Sequence, residues 1–338
     1  MNAPQEILCQ IASYLDMEDL GNFRLISPEY EIAGTPFIPR NGLLVLNTAA
    51  GLQQIRELLQ CKSIAVNTKQ LTICHGDWPS RLQGLRTTRA NEAFASYSAF
   101  TAEERGRRVR KDVEALFQAL SLLPNLRTVT IAHVKGWALH PSRNARVAPA
   151  VQLFFQAIRS EFPNITSLVI RRTLNPAKLS QAALHLPGVQ SLCVKSLQVQ
   201  DGALAQKFLQ AFPNLVDLSI TFKGWGSTIP DVVGGLFWPC LRRLRFDELW
   251  ASEEQIFSIF KHHCDGLESF SLGSAMITQG SWRSLFTRIQ SLGARGRVNA
   301  DRELFGRRSQ DTVNMNPDAI ARLARFMQDS EQPWPFGE

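Results

Sequence analysis

Two short runs of histidine and cysteine could, by residue type, bind a metal ion. They are His262-His263-Cys264, which lies in a stretch of helical periodicity, and Cys74-His75, far earlier in the chain. Zinc takes thiolate and imidazole ligands in a tetrahedral arrangement. Adjacent residues on a helix, however, point about 100° apart and rarely share one ion. The pattern favours two histidines at a helix end, near the negative end of its dipole, and we predict no metal site.

Motifs for covalent or phosphate chemistry are missing from the sequence. It contains no G-x-S-x-G, G-x-G-x-x-G or G-x-x-x-x-G-K-[ST] motif. Residues 224–227, Gly-Trp-Gly-Ser, are better explained as a turn after a strand, because the lysine and long helix of a phosphate loop do not follow. No spacing of acidic residues nominates a catalytic pair. We therefore expect a protein that is not an enzyme and needs no cofactor.

Arginine-rich stretches raise a different function, the binding of nucleic acid. Residues 75–111 and 283–308 are basic, and the chain has a formal net charge of +7. Such patches attract phosphate backbones. They lack interleaved aromatic side chains on which bases could stack, and acidic residues dilute the first of them. Solvated basic loops are therefore favoured, and nucleic acid is kept as an alternative partner.

The elements that would position any site follow a repeat. Five segments begin with proline and continue with large apolar residues in an L-x-x-L-x-L pattern. They are residues 124–131, 163–170, 187–194, 213–220 and 239–246. A sixth segment, 266–272, keeps the spacing without the proline, and 66–73 is an earlier, degenerate copy. The first apolar positions of the six segments are 39, 24, 26, 26 and 26 residues apart.

A period of about 20–29 residues with this core is the leucine-rich-repeat signature. Apolar residues two apart share one face of a strand, and one copy cannot bury that face without its neighbours. The residues predicted to stack in one buried row are Leu168, Leu192, Leu218 and Leu244. Helical periodicity between the copies predicts an α/β fold, a solenoid of strand–helix repeats of about 26 residues with a curved parallel sheet. Unrelated α/β units are the alternative.

Three regions follow from these patterns. Residues 1–38 are predicted to form three short helices, which bury too little surface to be stable alone. Residues 39–292 form the repeat array, with insertions at 75–108 and 133–148 where the apolar spacing is lost. Residues 293–338 comprise a basic segment, a terminal amphipathic helix and a loose tail. The first region therefore needs a partner or the neighbouring array.

The N-terminal region resembles the F-box. The resemblance rests on Pro4, Glu6, Ile7, Leu8, Ile11, Tyr14, Leu15, Asp19, Leu20, Arg24, Leu25, Ala33 and Phe37. Ala3 stands where that family usually has leucine. With the downstream repeats, the chain is similar to fungal F-box proteins that carry degenerate leucine-rich repeats. A polar cap on a repeat array is the alternative interpretation of these helices.

The resemblance implies binding to a Skp-type adaptor and, through it, to a cullin–RING ubiquitin ligase. The chain would then be the substrate-recognition subunit, which raises the effective concentration of target lysines at the transfer site. The residues expected to contact the adaptor are Pro4, Ile7, Leu8, Ile11, Leu15, Leu20 and Leu25. The alternative is a repeat scaffold outside ubiquitylation, which would bury this apolar stripe instead of presenting part of it to solvent.

The sequence also constrains where the protein works. Its six cysteines are scattered without a C-x-x-C pair, which fits reduced thiols. The N-terminus does not have the pattern of a signal peptide, and no run approaches the ~20 apolar residues of a membrane span. We expect a cytoplasmic or nuclear protein, or one found in both places, without a membrane partner.

An unknown target protein is expected to bind the polar face of the strands. Residues between the core positions alternate to that concave face, and tryptophan and arginine are enriched among interface hot spots. The rim predicted to contact the target consists of Arg171, Lys195, Trp225, Arg245 and Trp250. Packing of the tryptophans against the edge of the core is the alternative that the sequence leaves open.

Overall fold

The structure, a computed structural model, divides into two compact units, Met1–Ile165 and Thr166–Glu338. It describes residues 3–75, 99, 100, 102, 109–133, 150–158, 162, 164–179, 184–223, 230–233, 235–293, 298–300, 303–306, 312–329 and 332–336. Most of the two predicted insertions, and Trp225, lie outside these residues. Both units combine helices with parallel strands, which confirms the predicted α/β class.

Three helices open the first unit: α1 (Gln5–Tyr14), α2 (Met17–Arg24) and α3 (Pro28–Gly34). Asp16 caps α2, since its Oδ1 accepts the backbone N–H groups of Glu18 and Asp19 at 2.9 and 2.8 Å. Pro28 occupies the first turn of α3, where its missing N–H is not needed. A 3-10 segment, Thr35–Asn41, follows and is tied to α1, because Arg40 Nη1 donates to the carbonyl of Ser13 at 3.2 Å.

The remaining elements of the first unit are β1 (Leu43–Leu46), α4 (Ala49–Leu58), α5 (Lys62–Asn67), β2 (Gln70–His75), α6 (Val109–Ser121), β3 (Thr128–His133) and α7 (Ala150–Ile158). The three strands are parallel, in the order β1-β2-β3. Gly42 leads into β1 with φ 84°, and a Cβ there would lie 2.9 Å from Gln70 Cβ, so only glycine fits. The strand predicted at 66–73 begins later than expected, because Val66 and Asn67 complete α5.

The second unit alternates strands with helices and loops. Its strands are β4 (Ser167–Leu174), β5 (Ser191–Leu197), β6 (Asp217–Phe222), β7 (Arg243–Asp247), β8 (Trp250–Ala251), β9 (Ser269–Gly273), β10 (Ala275–Ile277), β11 (Val298–Ala300) and β12 (Leu304–Phe305). Its helices are α8 (Gly202–Gln210), α9 (Pro230–Val233), α10 (Glu253–His263), α11 (Trp282–Ser291) and α12 (Pro317–Gln328). The main sheet of this unit has the order β4-β5-β6-β7-β9-β11.

The predicted buried row of leucines is confirmed. Leu168 pairs with Leu192, Leu192 with Leu218, and Leu218 with Leu244, and each of the four is 1% exposed. Phe270 continues the row at 0% exposure. The ladder also runs past residue 292, the predicted end of the repeats, since Val298 pairs with Phe270.

The asparagine of the Pro-Asn pairs links successive repeats. Asn214 Nδ2 donates to the carbonyl of Pro187 at 2.9 Å, and Asn164 Nδ2 donates to that of Pro124 at 2.9 Å. Asn125 Nδ2 donates at 2.8 Å to the carbonyl of Val66, the first residue of the degenerate copy. These bonds satisfy carbonyl groups at the chain turns that precede the strands. The repeat is therefore also held together at the polar residue that follows its proline.

A second, three-stranded sheet in this unit has the order β12-β10-β8. The chain enters it through Glu248 and Ser274, which follow β7 and β9 and have φ values of 56° and 49°. A left-handed residue turns the backbone sharply, and non-glycine residues adopt this conformation rarely. Strands β8 and β10 therefore leave the main sheet and pair with each other through Trp250 and Met276.

The C-terminal tail is packed rather than loose, which corrects the prediction for the part that the structure describes. The Trp334 ring stacks on Phe286 at 5.9 Å and meets Phe326 edge-on at 5.4 Å. Gln290 Nε2 donates to the carbonyl of Asp329 at 3.0 Å. The sequence 332–336 is short and polar at its start, so its aromatic pair was the only signal of packing.

Candidate protein-interaction surfaces

The N-terminal helices form a small core from one face of each helix. Five buried side chains make up this core: Leu8, Ala12, Leu20, Phe23 and Ala33. The Phe23 and Tyr30 rings lie 4.8 Å apart and close one side of it. Leu8 and Ala12 are four residues apart and so share one face of α1. A core of this size fixes the three helices but leaves much of their apolar surface uncovered.

The other faces of these helices expose large apolar side chains. Ile7, Ile11 and Tyr14 on α1 are 46%, 43% and 82% exposed. Beyond α1, the exposed side chains are Met17, Leu25, Ile26 and Ile32. These seven are half of the large apolar side chains that are exposed in the described part of the chain. Apolar exposure that is concentrated in so short a segment is typical of an interaction surface. We call the seven side chains the N-terminal apolar surface.

The structure divides the seven residues predicted to contact an adaptor. Pro4, Ile7, Ile11 and Leu25 are exposed, and Leu15 is half-buried. Leu8 and Leu20 are only 2% and 1% exposed, so they are interior residues and not contact residues. The apolar residues predicted to form one stripe on α1 are therefore divided between core and surface. Tyr14, Ile26 and Ile32 were not predicted as contacts and are as exposed as the predicted ones.

Charge separates this surface from the rest of the chain. Residues 3–34 contain one arginine, Arg24, and six acidic residues, whereas the whole chain has a net charge of +7. Arg24 Nη2 lies 3.5 Å from Glu31 Oε1 and neutralises one of the six. The Ser27 hydroxyl donates a hydrogen bond to Glu29 and lowers the pKa of that carboxyl. A partner for this surface must combine apolar contacts with tolerance of, or attraction to, negative charge.

The four described residues of the predicted target rim, Arg171, Lys195, Arg245 and Trp250, do not lie on one sheet. Arg171 and Lys195 are exposed, and each follows the same register row, Ile170 beside Val194. Trp250 lies in the small sheet rather than the main one, because the left-handed Glu248 turns the chain before it. Trp225 lies outside the described residues. The rim hypothesis therefore keeps Arg171 and Lys195 as neighbours but loses its single line of residues.

Arg245 forms an ion pair with a carboxylate of its own strand, β7. Its Nε and Nη2 donate to Asp247 Oδ2 and Oδ1 at 2.9 and 3.0 Å, and Asp247 is 3% exposed. The bidentate geometry fixes the guanidinium and neutralises the buried carboxylate. Arg245 is thus a weaker candidate for target contact than Arg171 or Lys195, because binding would have to compete with this pair.

His263 is a buried neutral residue at the end of α10. Its Nδ1 donates to the carbonyl of Ile259 at 3.0 Å, and its Nε2 accepts the backbone N–H of Trp238 at 3.3 Å. Burial, and then the charge of His262, lowers the pKa of His263. With both ring nitrogens engaged, the side chain joins α10 to the loop before β7 rather than binding a metal ion. This refines the prediction of a histidine pair that interacts with the helix dipole.

Glu253 is a second buried polar residue with a structural role. Burial alone would raise its pKa, but hydrogen bonds from the Ser284 hydroxyl at 2.6 Å, the Ser281 N–H at 3.0 Å and Arg288 at 3.2 Å lower it. The ionised carboxylate therefore joins the start of α10 to α11. Its acceptor sites are occupied by protein donors, which does not suit a catalytic acid or base.

No chemistry-bearing cluster emerges from the described residues. No group of three His, Cys, Asp or Glu side chains among them could hold a metal ion. No disulfide joins the six cysteines. Burial raises the pKa of Cys74, and burial together with Asp265 raises that of Cys264, so neither favours a thiolate. A cavity of about 240 Å³ in the first unit is lined by eight residues without a titratable side chain.

Comparison with known proteins adds no identity to these surfaces. Neither protein-family models nor curated protein sequences match the chain. In the described part of the chain, no helix combines the length and the apolar character needed to cross a membrane. The functional interpretation therefore rests on the two surfaces themselves.

Proposed function

We propose that this protein is the substrate-recognition subunit of a Skp–cullin–F-box type ubiquitin ligase. The observation that carries the proposal is the division of α1, in which Leu8 and Ala12 pack inward while Ile7, Ile11 and Tyr14 face solvent. The F-box resemblance predicts this outward presentation, whereas a helical cap that serves only the array would bury the stripe. In this proposal the N-terminal apolar surface is the adaptor site.

The physical basis of adaptor binding is burial of this surface. Covering apolar area contributes about 25 cal/mol per Å², and exposed helical anchors are the usual contacts in helix–groove recognition. Ile7 and Ile11 are four residues apart and lie on one side of α1. Leu25 and Ile26 extend the surface beyond α2. The buried core of five side chains holds these anchors in place before the adaptor arrives.

The protein itself performs no covalent step in this proposal. The helices hold the ligase, the strands of the second unit hold a target, and the target lysines gain effective concentration at the transferring enzyme. The second unit suits this role because its apolar row is buried while its open face carries small polar and charged residues. We place this activity in the cytoplasm or nucleus, where such ligases operate.

A co-purification experiment tests the proposal. Tagged full-length protein should capture a Skp-type adaptor and cullin, and the double substitution Ile7→Asp with Ile11→Asp should abolish this capture. The matched control is Val66→Asp with Leu122→Asp, since Val66 and Leu122 are 49% and 44% exposed and lie outside α1–α3. The control should still capture the adaptor, because it adds the same two charges outside the N-terminal apolar surface.

Two outcomes would count against the proposal. Adaptor capture that survives the Ile7 and Ile11 substitutions would show that α1 is not the contact. Absence of adaptor and cullin from the wild-type capture, in a cell that contains both, would favour a repeat scaffold outside ubiquitylation. Leu8→Asp is unsuitable for this test, because Leu8 is 2% exposed and its loss would unfold the helices.

A further inference from the structure

Two adjacent β-bulges mark the carboxyl ends of β4 and β5. The pairing of β4 with β5 jumps from Ile170–Val194 to Thr173–Ser196, so that two residues of β4 oppose one of β5. The pairing of β5 with β6 jumps in the same way, from Val194–Ile220 to Leu197–Phe222. A bulge re-aims the side chains it contains and is common next to functional sites. The two register shifts lie side by side in neighbouring strands.

The bulged positions carry positive charge. Arg171 and Arg172 are the two residues of β4 in the first bulge, and Lys195 lies opposite them. Lys195 is also one of the two residues of β5 in the second bulge. Arg171 and Lys195 are exposed. Arg171 and Lys195 therefore place cationic side chains at the open face of the sheet, on neighbouring strands that lie about 4.8 Å apart.

Two hydroxyl groups and a third cation lie beside these bulged positions. Lys223, at the end of β6, donates from Nζ to Thr173 Oγ1 at 3.2 Å. Thr173 Oγ1 in turn lies 3.2 Å from Ser196 Oγ. The lysine thus reaches across β5 to a hydroxyl rather than to a carboxylate. We call the group Arg171, Lys195 and Lys223, with the hydroxyls of Thr173 and Ser196, the bulge patch.

Among the described residues, the cations of the bulge patch differ from other cations of this unit, which pair with carboxylates. Arg242 pairs with Glu268 at 2.6 Å, Arg243 with Asp217, and Arg288 with Glu254 at 2.8 Å. Within the part of the chain that the structure describes, Arg171, Lys195 and Lys223 have no carboxylate within ion-pair distance. The sequence explains this, because no acidic residue occurs between Glu161 and Asp201.

We propose that the bulge patch binds an acidic segment of a target protein, through carboxylate or phosphate groups on that segment. The identity of the ligand as a target rests on the proposed function, and the anion binding itself does not. Three cations that have no ion-pair partner among the described residues supply charge and N–H donors for oxyanions, and the Thr173–Ser196 hydroxyl pair has one O–H donor beyond its mutual hydrogen bond. A protein segment is favoured over nucleic acid because the outward positions beside the patch are small. They are Val169, Cys193 and Ser219, with no aromatic ring on which a base could stack.

Peptide titration of the purified full-length chain tests this inference. The probe is a fluorescent peptide of four glutamates spaced by glycine and serine, compared with versions in which glutamine or phosphoserine replaces glutamate. Glutamate and phosphoserine peptides should bind, the glutamine peptide should not, and binding should weaken as salt shortens the Debye length below about 10 Å. The phosphoserine-to-glutamate affinity ratio tells which anion the target supplies.

Substitutions then locate the site. The triple variant Arg171→Gln, Lys195→Gln and Lys223→Gln should weaken peptide binding about tenfold or more, at roughly two- to five-fold per exposed charge. The control triple, Lys207→Gln, Lys261→Gln and Arg325→Gln, removes the same charge from exposed helical positions of the same unit and should change binding less than about twofold. If the first triple variant has a lower unfolding midpoint, the single variant Lys195→Gln is used in its place. It should weaken peptide binding roughly two- to five-fold.

Several results would overturn the inference. They are equal weakening in both triple variants, equal affinity for the glutamine peptide, or tighter binding of single-stranded oligouridine than of either anionic peptide. The last would assign the patch to nucleic acid. Failure here and failure of the proposed function are distinguishable, because adaptor capture depends on Ile7 and Ile11. The Ile7→Asp with Ile11→Asp variant should bind the peptide normally, and the bulge-patch triple should capture the adaptor normally.

Discussion

The N-terminal helices and the second-unit sheet differ in how completely they bury their apolar side chains. The helices bury five side chains, two leucines, two alanines and a phenylalanine, and leave seven large apolar ones exposed. The sheet buries a continuous row, Leu168 to Phe270, at 1% exposure or less and presents serine, cysteine and paired arginines on its open face. The N-terminal helices therefore keep apolar surface that a partner could cover, whereas the apolar residues of the sheet row are buried in its own core.

This difference sets the kind of recognition that each region can support. Apolar surface on a small helical cluster gives affinity through area removed from water. A polar sheet face gives selectivity through charge and hydrogen bonding, because mismatched groups are left unpaired. Adaptor binding on the first and target binding on the second fits this division. Mutations should then divide into those that damage the fold and those that damage only binding.

The largest effect is expected in the buried row of the sheet. Leu218 is 1% exposed between Leu192 and Leu244, so Leu218→Ala should lower the free energy of unfolding by about 2–5 kcal/mol. Denaturant unfolding measures this. Ser219, the half-buried neighbour on the other face, should tolerate alanine with little change. Similar losses at positions 218 and 219 would show that the assigned faces are wrong.

A local effect is expected in the helices. Leu8→Ala removes one of five core side chains and should cost about 2–4 kcal/mol, enough to open a cluster of this size. Hydrogen exchange should then accelerate in α1–α3 while the second-unit strands keep their protection. Ile7→Ala, at a 46% exposed position, should leave exchange unchanged. Uniform acceleration over the whole chain by Leu8→Ala would mean that the helices do not open independently.

Much of the sheet was predictable from the sequence because strand geometry is local. Alternation fixes which residues of a strand are buried, and a constant spacing fixes which ones pair, as Leu192, Leu218 and Leu244 do. The apolar residues of α1 could be recognised in the sequence because helical spacing is also a local property. Their division into an inner Leu8 and an outer Ile7 could not be, since that depends on how α2 and α3 pack against α1.

The candidate target site was less predictable because it depends on irregular backbone. The bulges at Arg171 and Lys195 interrupt the alternation from which the rim was inferred. The left-handed Glu248 moved Trp250 to another sheet, and the Arg245–Asp247 pair is a matter of side-chain geometry. One signal was available in the sequence, the lack of acidic residues between positions 161 and 201. That absence removes the nearby carboxylates that could have paired with Arg171 and Lys195.

A smaller effect is expected at the polar links between repeats. Asn214→Ala removes the hydrogen bond to the Pro187 carbonyl and should cost about 0.5–1.5 kcal/mol of unfolding free energy. Cys240 occupies the same position of a later repeat, where a thiol stands in place of the side-chain amide, and Cys240→Ala serves as the control with little change expected. Equal effects in denaturant unfolding would show that the asparagine bond does not stabilise the turn.

The smallest effect is a pH dependence of the sheet region. Burial lowers the pKa of His263 below its ordinary value of 6.5, so the unfolded chain takes up the proton first as pH falls. The stability that neutral His263 contributes is complete above pH 6.5 and is lost as pH falls from there through the folded pKa. The unfolding midpoint of the wild type should drop more than that of His263→Gln when the pH is lowered from about 7.5 to 5.5. Equal drops would contradict a neutral, buried His263.

Hydrogen exchange on the adaptor complex tests the central claim most directly. Purified chain, with and without a Skp-type adaptor, is compared peptide by peptide. We predict strong protection of α1–α3, around Ile7, Ile11 and Ile26, and unchanged exchange in β4–β9 of the second unit. No protection of α1–α3 at adaptor concentrations that saturate a known F-box protein would contradict the claim, as would protection confined to the second unit.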